Sequence, residues 1–278
     1  MTNRIALIVA ARSIMFWAAP VASQEPQDSV QEVRLIDGST LYGYVTDGDP
    51  VHIRLLSGDE ITVARSRIRS IERARGAIRD GEVWPEDPNL TRLFFSPTAR
   101  TMEKGHGYIA AYELVFPFVA YAVTDNLLIA GGTPLFGDFD NDRVLYFAPK
   151  LRLYSKGRTD LAVGAFMFGE VGHSDFKAGA FYGALTQGTP DKAVTLVVGA
   201  GYDDDGLLDE PVVVLGGEYR VSRTIKLITE NYFTSEGSLI TLGPRFFGDR
   251  LSADLGIGLA MWDGEVFTLP IVNFVYVW

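Results

Sequence analysis

Residues 251–262 read LSADLGIGLAMW, and they alternate without a fault. Leu251, Ala253, Leu255, Ile257, Leu259 and Met261 fall on one face; Ser252, Asp254, Gly256, Gly258 and Ala260 fall on the other. A period of two is that of a β-strand. Here the polar face is also the small one, as suits a tightly curved interior, while the opposite face is bulky and apolar. Residues 239–247, LITLGPRFF, divide in the same way, with Ile240, Leu242, Pro244 and Phe246 against Thr241, Gly243 and Arg245. In residues 144–154, VLYFAPKLRLY, the apolar row of Leu145, Phe147, Pro149, Leu151 and Leu153 opposes Lys150, Arg152 and Tyr154.

Working outward, segments of this kind fill the chain from Tyr108 to its last residue. They fall near 107–123, 126–135, 143–155, 160–171, 175–187, 192–203, 211–221, 224–233, 238–247, 251–262 and 267–278. Most approach the roughly 9–11 residues a tilted strand needs to cross a bilayer, where strands of soluble domains average about 5–6. No helical period separates them, so consecutive strands are expected to pair as antiparallel hairpins. The turns VTDN, SKGRTD, VSRT and FGDR are short, and they interleave with LFGDFDND, VGHS, GYDDDGLLDE and TSEGS, which are mostly longer and more acidic. That asymmetry belongs to an outer-membrane barrel. The first segment contains Pro117, which cannot donate within a ladder. Breaking the segment there gives twelve strands; absorbing one elsewhere gives ten. The expectation is an all-β chain: an antiparallel up-and-down transmembrane β-barrel of about twelve strands over 106–278, preceded by a small bent-sheet β domain.

Composition bounds the function. The chain has 278 residues, 47% hydrophobic and 22% charged, with a formal net charge of -10. A general nucleic-acid binder would be basic, so no nucleic-acid partner is expected. There is no cysteine, which excludes disulfides, thiolate chemistry and cysteine-based metal sites. Residues 1–23 carry Arg4, an apolar run and the small residues of AAPVAS, the layout of a secretory signal peptide.

Residues 31–75 form a separate series of short alternating segments punctuated by DGS, DGDP and SGDE, where Asp-Gly pairs supply hairpin turns. With LYGYV, VHIRLL and ITVARSRIRSIE in succession, this stretch resembles the Sm-like small barrels of exported bacterial proteins. In its closing segment Arg65, Arg67 and Arg69 are expected on one strand face. They read as an anion-binding surface for lipid phosphate, peptidoglycan or a periplasmic partner, or as a solvated edge neutralised by nearby acids. Residues 76–105 read as a connector, and Leu93, Phe94 and Phe95 within it are expected to dock against the following domain.

The final strand places Val272, Phe274, Tyr276 and Trp278 on one face. A terminal aromatic with aromatics at alternate positions resembles the sorting signal that the barrel-assembly machinery recognises in bacterial outer-membrane barrels. Together, the DGSTLYGYV module, DPNLTRLFFSPTAR and the long aromatic strand after it resemble an uncharacterised group of Gram-negative outer-membrane barrels with an N-terminal Sm-like module. The resemblance implies the cell outer membrane as the location and its lipid as a neighbour.

By alternation the lumen should receive Glu113, Lys150, Arg152, Glu218, Arg220, Lys226, Glu230, Arg245 and Asp254. Both signs are present, so pairing across a narrow interior is expected, whereas an ion-selective pore favours rings of one sign. This points to a plugged barrel or a narrow polar passage with a structural, binding or transport role. The alternative is a soluble exported β-domain that binds a partner or glycan. A lipid hydrolase is a third reading, but His173 and Ser174 are adjacent and would point to opposite faces of a strand. Asp138, Asp140, Asp142, Asp203, Asp204 and Asp205 read as a calcium site or, lacking a complete binding-loop pattern, as solvated loops. No cofactor and no resident metal are expected.

Overall fold

The structure is a computed structural model that describes residues 29–135, 138–139, 142–170, 176–203 and 206–278. The proposed signal peptide, and Asp140, His173, Ser174, Asp204 and Asp205, lie outside the described residues. The chain divides into two compact units, before and after the junction of Ala74 and Arg75.

The first unit holds β1 (Gln31–Leu35), β2 (Thr40–Thr46), β3 (Val51–Leu55), β4 (Glu60–Val63) and β5 (Ile68–Arg73). They form one antiparallel sheet in the order β4-β3-β2-β1-β5. Alternation selects its core: Val33, Leu35, Val51 and Ile53 are buried, with Leu41, Ile61, Ile68 and Ile71 packed around them. Arg65, Arg67 and Arg69 do not share a strand face. The chain between β4 and β5 turns through a 3-10 turn at Arg65–Arg67, which breaks the period of two, and only Arg69 lies in β5. Arg65 faces Asp47 and Arg67 faces Asp37, each at 3.5 Å in exposed positions. Pairs of this kind contribute little to stability.

The second unit begins with a hairpin of β6 (Ala77–Arg79) and β7 (Glu82–Trp84). The barrel wall follows: β8 (Gly107–Tyr112), β9 (Phe116–Ala122), β10 (Leu127–Gly132), β11 (Asp138–Phe139), β12 (Asp142–Phe147), β13 (Lys150–Lys156), β14 (Thr159–Glu170) and β15 (Phe176–Thr189). It continues through β16 (Lys192–Asp203), β17 (Gly206–Ser222), β18 (Ile225–Phe233), β19 (Gly237–Phe247), β20 (Leu251–Trp262) and β21 (Glu265–Val277). Each strand pairs antiparallel with its neighbours. Strands β12 and β13 form one wall strand interrupted at Ala148 and Pro149, and β11 is a short partner at the outer end of β12. Strand β21 closes on β8 through Asn273↔Tyr112 to Val277↔Tyr108, giving a closed antiparallel barrel of twelve strands.

Twelve is reached at a different place from the one predicted. The first long segment breaks at Glu113 and Leu114, both with positive φ, and not at Pro117. Pro117 sits inside β9 opposite Ala111, and its carbonyl accepts the Tyr146 hydroxyl. The acidic stretch 201–210 also differs from the expected loop. Strands β16 and β17 extend through most of it, pairing Tyr202 with Leu207 and Asp203 with Gly206.

The wall is inverted relative to the small sheet. Outward-facing Leu255, Ile257, Leu259, Phe274 and Tyr276 are 42–52% exposed, while inward-facing Lys226, Glu230 and Arg245 are fully buried. The chain enters β8 and leaves β21 at one end of the barrel, where every wall turn has four residues or fewer; the two longest connections, from β10 to β12 and from β14 to β15, are at the other end. Among the described residues no helix is long and apolar enough to cross a membrane.

Candidate functional site: the plugged lumen

Residues 76–105 do not bridge two bodies; they belong to the barrel unit and fill its lumen. The β6–β7 hairpin sits at the short-turn end, where the Arg223 Nε–H donates to the Val83 carbonyl at 3.0 Å. Arg79 and Arg220 both pair with Asp191, in the tight turn between β15 and β16, and both stack on Trp84. Burial pushes the Asp191 carboxyl up, but its hydrogen bonds from Arg220 and Arg79 prevail and hold it below the ordinary carboxylate range.

From this rim the chain rises into the barrel and turns back on itself. Arg92 and Pro97 form a bridge, and the Leu93 N–H donates to the Ser96 carbonyl at 2.9 Å, making a tight tip. The descending limb is held by the Ala99 N–H on Thr186 Oγ1 at 2.9 Å and ends with the Lys104 N–H on the Asp125 carboxylate at 2.8 Å. Two inward glycines make room for the tip. A Cβ on Gly216 would lie 2.0 Å from Leu93 Cδ1, and one on Gly256 would lie 3.3 Å from the Phe94 ring. Leu93 and Phe94 pack against Ile228 and Ile271, with Phe95 beside them.

Charged groups fix this loop in place. Arg245 grips Asp254 in a two-pronged pair at 2.6 and 3.1 Å and reaches Asp87 at 3.0 Å. Its remaining donors go to the carbonyls of Asn89 at 2.8 Å and Leu93 at 2.6 Å. Lys226 bridges Asp87 at 2.6 Å and Glu218 at 2.9 Å. Glu218 also pairs with Arg100, whose guanidinium donates to the Thr189 carbonyl at 2.9 Å. Lys150 donates to the carbonyls of Thr91 and Thr98, at 2.9 and 3.0 Å. The Glu230 carboxylate accepts the N–H groups of Phe94, Phe95 and Ser96 at 2.8, 3.1 and 3.1 Å, and also the Tyr232 hydroxyl. It caps the tip much as an acidic side chain caps exposed N–H groups at a helix start. Buried charges persist only with such partners.

Of the residues that alternation sends inward, Lys150, Glu218, Lys226, Glu230, Arg245 and Asp254 meet in this network. Three do not. Arg220 closes the rim through Asp191. Arg152 keeps the inward parity of Lys150 but lies nearer the short-turn end, where it bonds the Asn126 side chain at 3.1 Å instead of the loop. Glu113 lies in the β8–β9 turn, where the break in the strand removes it from the inward row, and its N–H donates to the Asn273 side chain at 3.1 Å. The loop's own contributors, Asp87, Asn89, Arg92 and Arg100, were missed because no periodicity marks a segment that is neither strand nor helix. Asn273 was missed as well, although it is the one polar residue between Phe267 and Val277 on its face of β21 and could have been found that way.

Alongside the loop, on one side of the lumen, aromatic rings run from strand to strand. Phe118 lies between Tyr112 and Tyr146, at 5.6 and 5.8 Å, and Tyr146 stacks on Phe166 at 5.8 Å. Arg92 covers Phe118 at 4.5 Å, and its Nη1 donates to the Phe95 carbonyl at 2.8 Å.

No protein-family model matches the chain, and no curated protein does. Among solved structures, an outer membrane channel from Pseudomonas putida F1 is similar at 14% identity and a TM-score of 0.41, covering 64% of this chain and 97% of that one. A loop-deletion form of OmpT, an outer membrane protein of Vibrio cholerae, is similar at 14% identity and a TM-score of 0.36, covering 90% and 96%. OccK11 of Pseudomonas aeruginosa is similar at 10% identity and a TM-score of 0.37, covering 90% and 96%. Likenesses of this size carry no functional inference.

Proposed function

We infer that this chain is an outer-membrane barrel whose outer wall meets lipid and whose lumen is shut by its own residues 85–105. The role that fits is a binding or structural one, with no open axial pore and no reaction assigned to the barrel. One observation carries the reading: apolar outward side chains stay exposed around the wall while charged side chains are buried inside it. Water on the outside would make that arrangement unfavourable, and lipid makes it favourable. The short-turn end then faces the periplasm, together with the five-stranded unit, whose strand order is compatible with an Sm-like module. Its Arg65, Arg67 and Arg69 are candidates for contact with peptidoglycan or a periplasmic partner. The outward row of Val272, Phe274, Tyr276 and Trp278 is available to the barrel-assembly machinery.

The test is recovery of the full-length chain from outer membranes, with a mobility difference between boiled and unboiled samples, followed by planar-bilayer recording. A heat-dependent shift with no steady conductance is the expected result. Recovery as a soluble protein without the shift would sink the reading in favour of an exported binding domain. Stable open-channel steps would overturn the plug and restore a narrow passage.

A further inference from the structure

We propose that the barrel exchanges apolar small molecules sideways with the membrane, through an opening in its wall above the β8–β9 turn. This rests on the reading of the wall as lipid-facing. Strands β8 and β9 are only 6 and 7 residues long, against 12 and 13 in β20 and β21. Strand β21 pairs with β8 only from Asn273 to Val277. Its upper part, Glu265 to Val272, pairs with β20 alone among the described residues.

An unpaired strand edge in lipid is costly, because each unsatisfied donor there costs several kcal/mol. One position of this edge is suited to stand unpaired. The Trp278 N–H donates toward β8, to the Gly107 carbonyl, while the Val277 N–H donates to the Arg250 carbonyl on the β20 side. With no register shift along β21, every even-numbered residue therefore turns its N–H toward β8. In that series Pro270 has no N–H to leave exposed, while Val272, Thr268 and Val266 have no strand partner on that side among the described residues. Proline is a standard device for ending an edge.

The plug tip sits at the floor of the opening. The Asn273 Nδ2–H donates to the Phe94 carbonyl at 3.1 Å, and Phe94 packs on Ile271. The lumen above the plug therefore meets the unpaired edge directly. Its rim is apolar: Leu114, Phe116, Phe267 and Leu269 are 44–53% exposed. Outward at the same height stand Val266 and Met261, 65% and 41% exposed, so the opening lies level with the lipid-facing surface. A molecule entering from the long-loop end finds an apolar rim and, below it, the apolar tip of Leu93 and Phe94. The side is the way onward that the described residues leave, and its class is an uncharged, largely hydrocarbon compound.

The chain has no cysteine, so single-cysteine variants take one label each. Leu269→Cys, inward, and Thr268→Cys, outward, would carry a bimane fluorophore in nanodiscs of phosphatidylcholine brominated on its acyl chains. The expected result is quenching at Leu269→Cys at least half as strong as at Thr268→Cys. Quenching at Thr268→Cys alone overturns the opening; quenching at neither overturns the lipid-facing wall as well. In cells, Leu269→Lys should slow uptake of the apolar dye phenylnaphthylamine several-fold while keeping the heat-dependent mobility shift. Uptake equal to that of the unaltered chain, with the shift intact, also overturns the proposal.

Discussion

The five-stranded unit and the barrel are built from the same period of two and put it to opposite use. In the small sheet Val33, Val51 and Ile53 turn inward and are almost fully buried, while the arginines and aspartates of the turns face outward. In the barrel Arg245, Lys226 and Glu230 are buried and Ile257, Leu255 and Phe274 are exposed. Alternation therefore fixes that a segment is a strand with two unlike faces, and says nothing about which face meets solvent. Strand length and the size of the polar residues decide that, since glycine and alanine line a closed interior while long charged side chains need partners across it.

The largest expected effect comes from removing the loop's central acid. Asp87→Ala leaves Arg245 and Lys226 each short of a buried partner, so the barrel unit should lose about 3–5 kcal/mol. The temperature at which the fast-migrating unboiled form disappears would fall accordingly. A matching acid-to-alanine change in the small sheet, Asp37→Ala, removes an exposed partner of Arg67 and the acceptor of the Ser39 N–H, both within the first unit, and should leave that temperature unchanged.

Next is the inversion itself. Ile257→Lys places a charge on the outer wall and should cost about 2–4 kcal/mol if that wall lies near the bilayer centre. In a water-exposed sandwich the same change would be almost silent, so the yield of folded barrel after refolding into detergent or lipid separates the two. In the small sheet the equivalent test is Ile53→Lys, which should unfold residues 29–74 by limited proteolysis and leave the barrel's mobility shift in place.

Overpacking the tip is a milder change. Gly216→Val drives a side chain into Leu93, and overpacking of this kind costs about 1–3 kcal/mol. The loop should be displaced before the wall is, so the first sign would be intermittent ion conductance in planar bilayers from a barrel that still resists unfolding.

The smallest effect is one of pH. The Asp191 carboxyl is held below its ordinary range, so its contribution is complete above the unfolded carboxylate value of about 3.9 and is lost as pH falls through the lower folded value. Protection of the β6–β7 hairpin from protease should therefore weaken only in strong acid. Asp191→Asn should weaken it at neutral pH and remove the acid dependence.

Much of the wall was legible in the chain. The faultless alternation of residues 251–262 gave β20 to the residue, and the lumen charges on β13 and β17–β20 followed from parity. Parity failed where a strand breaks, at Glu113, where two residues of positive φ end β8 early. It failed again at Arg65 and Arg67, in a 3-10 turn that no period of two describes.

The amino-acid order by itself determined the strands, their two faces and the mixed sign of the interior, because these depend on neighbours two residues apart. Only the tertiary structure decided where residues 76–105 go and where the wall is low. Phe94 meets Glu230 across 136 positions of sequence, and Arg245 meets Asp87 across 158. Contacts at such separation leave no local period, and they form only once the barrel has closed and left a space that this loop fills.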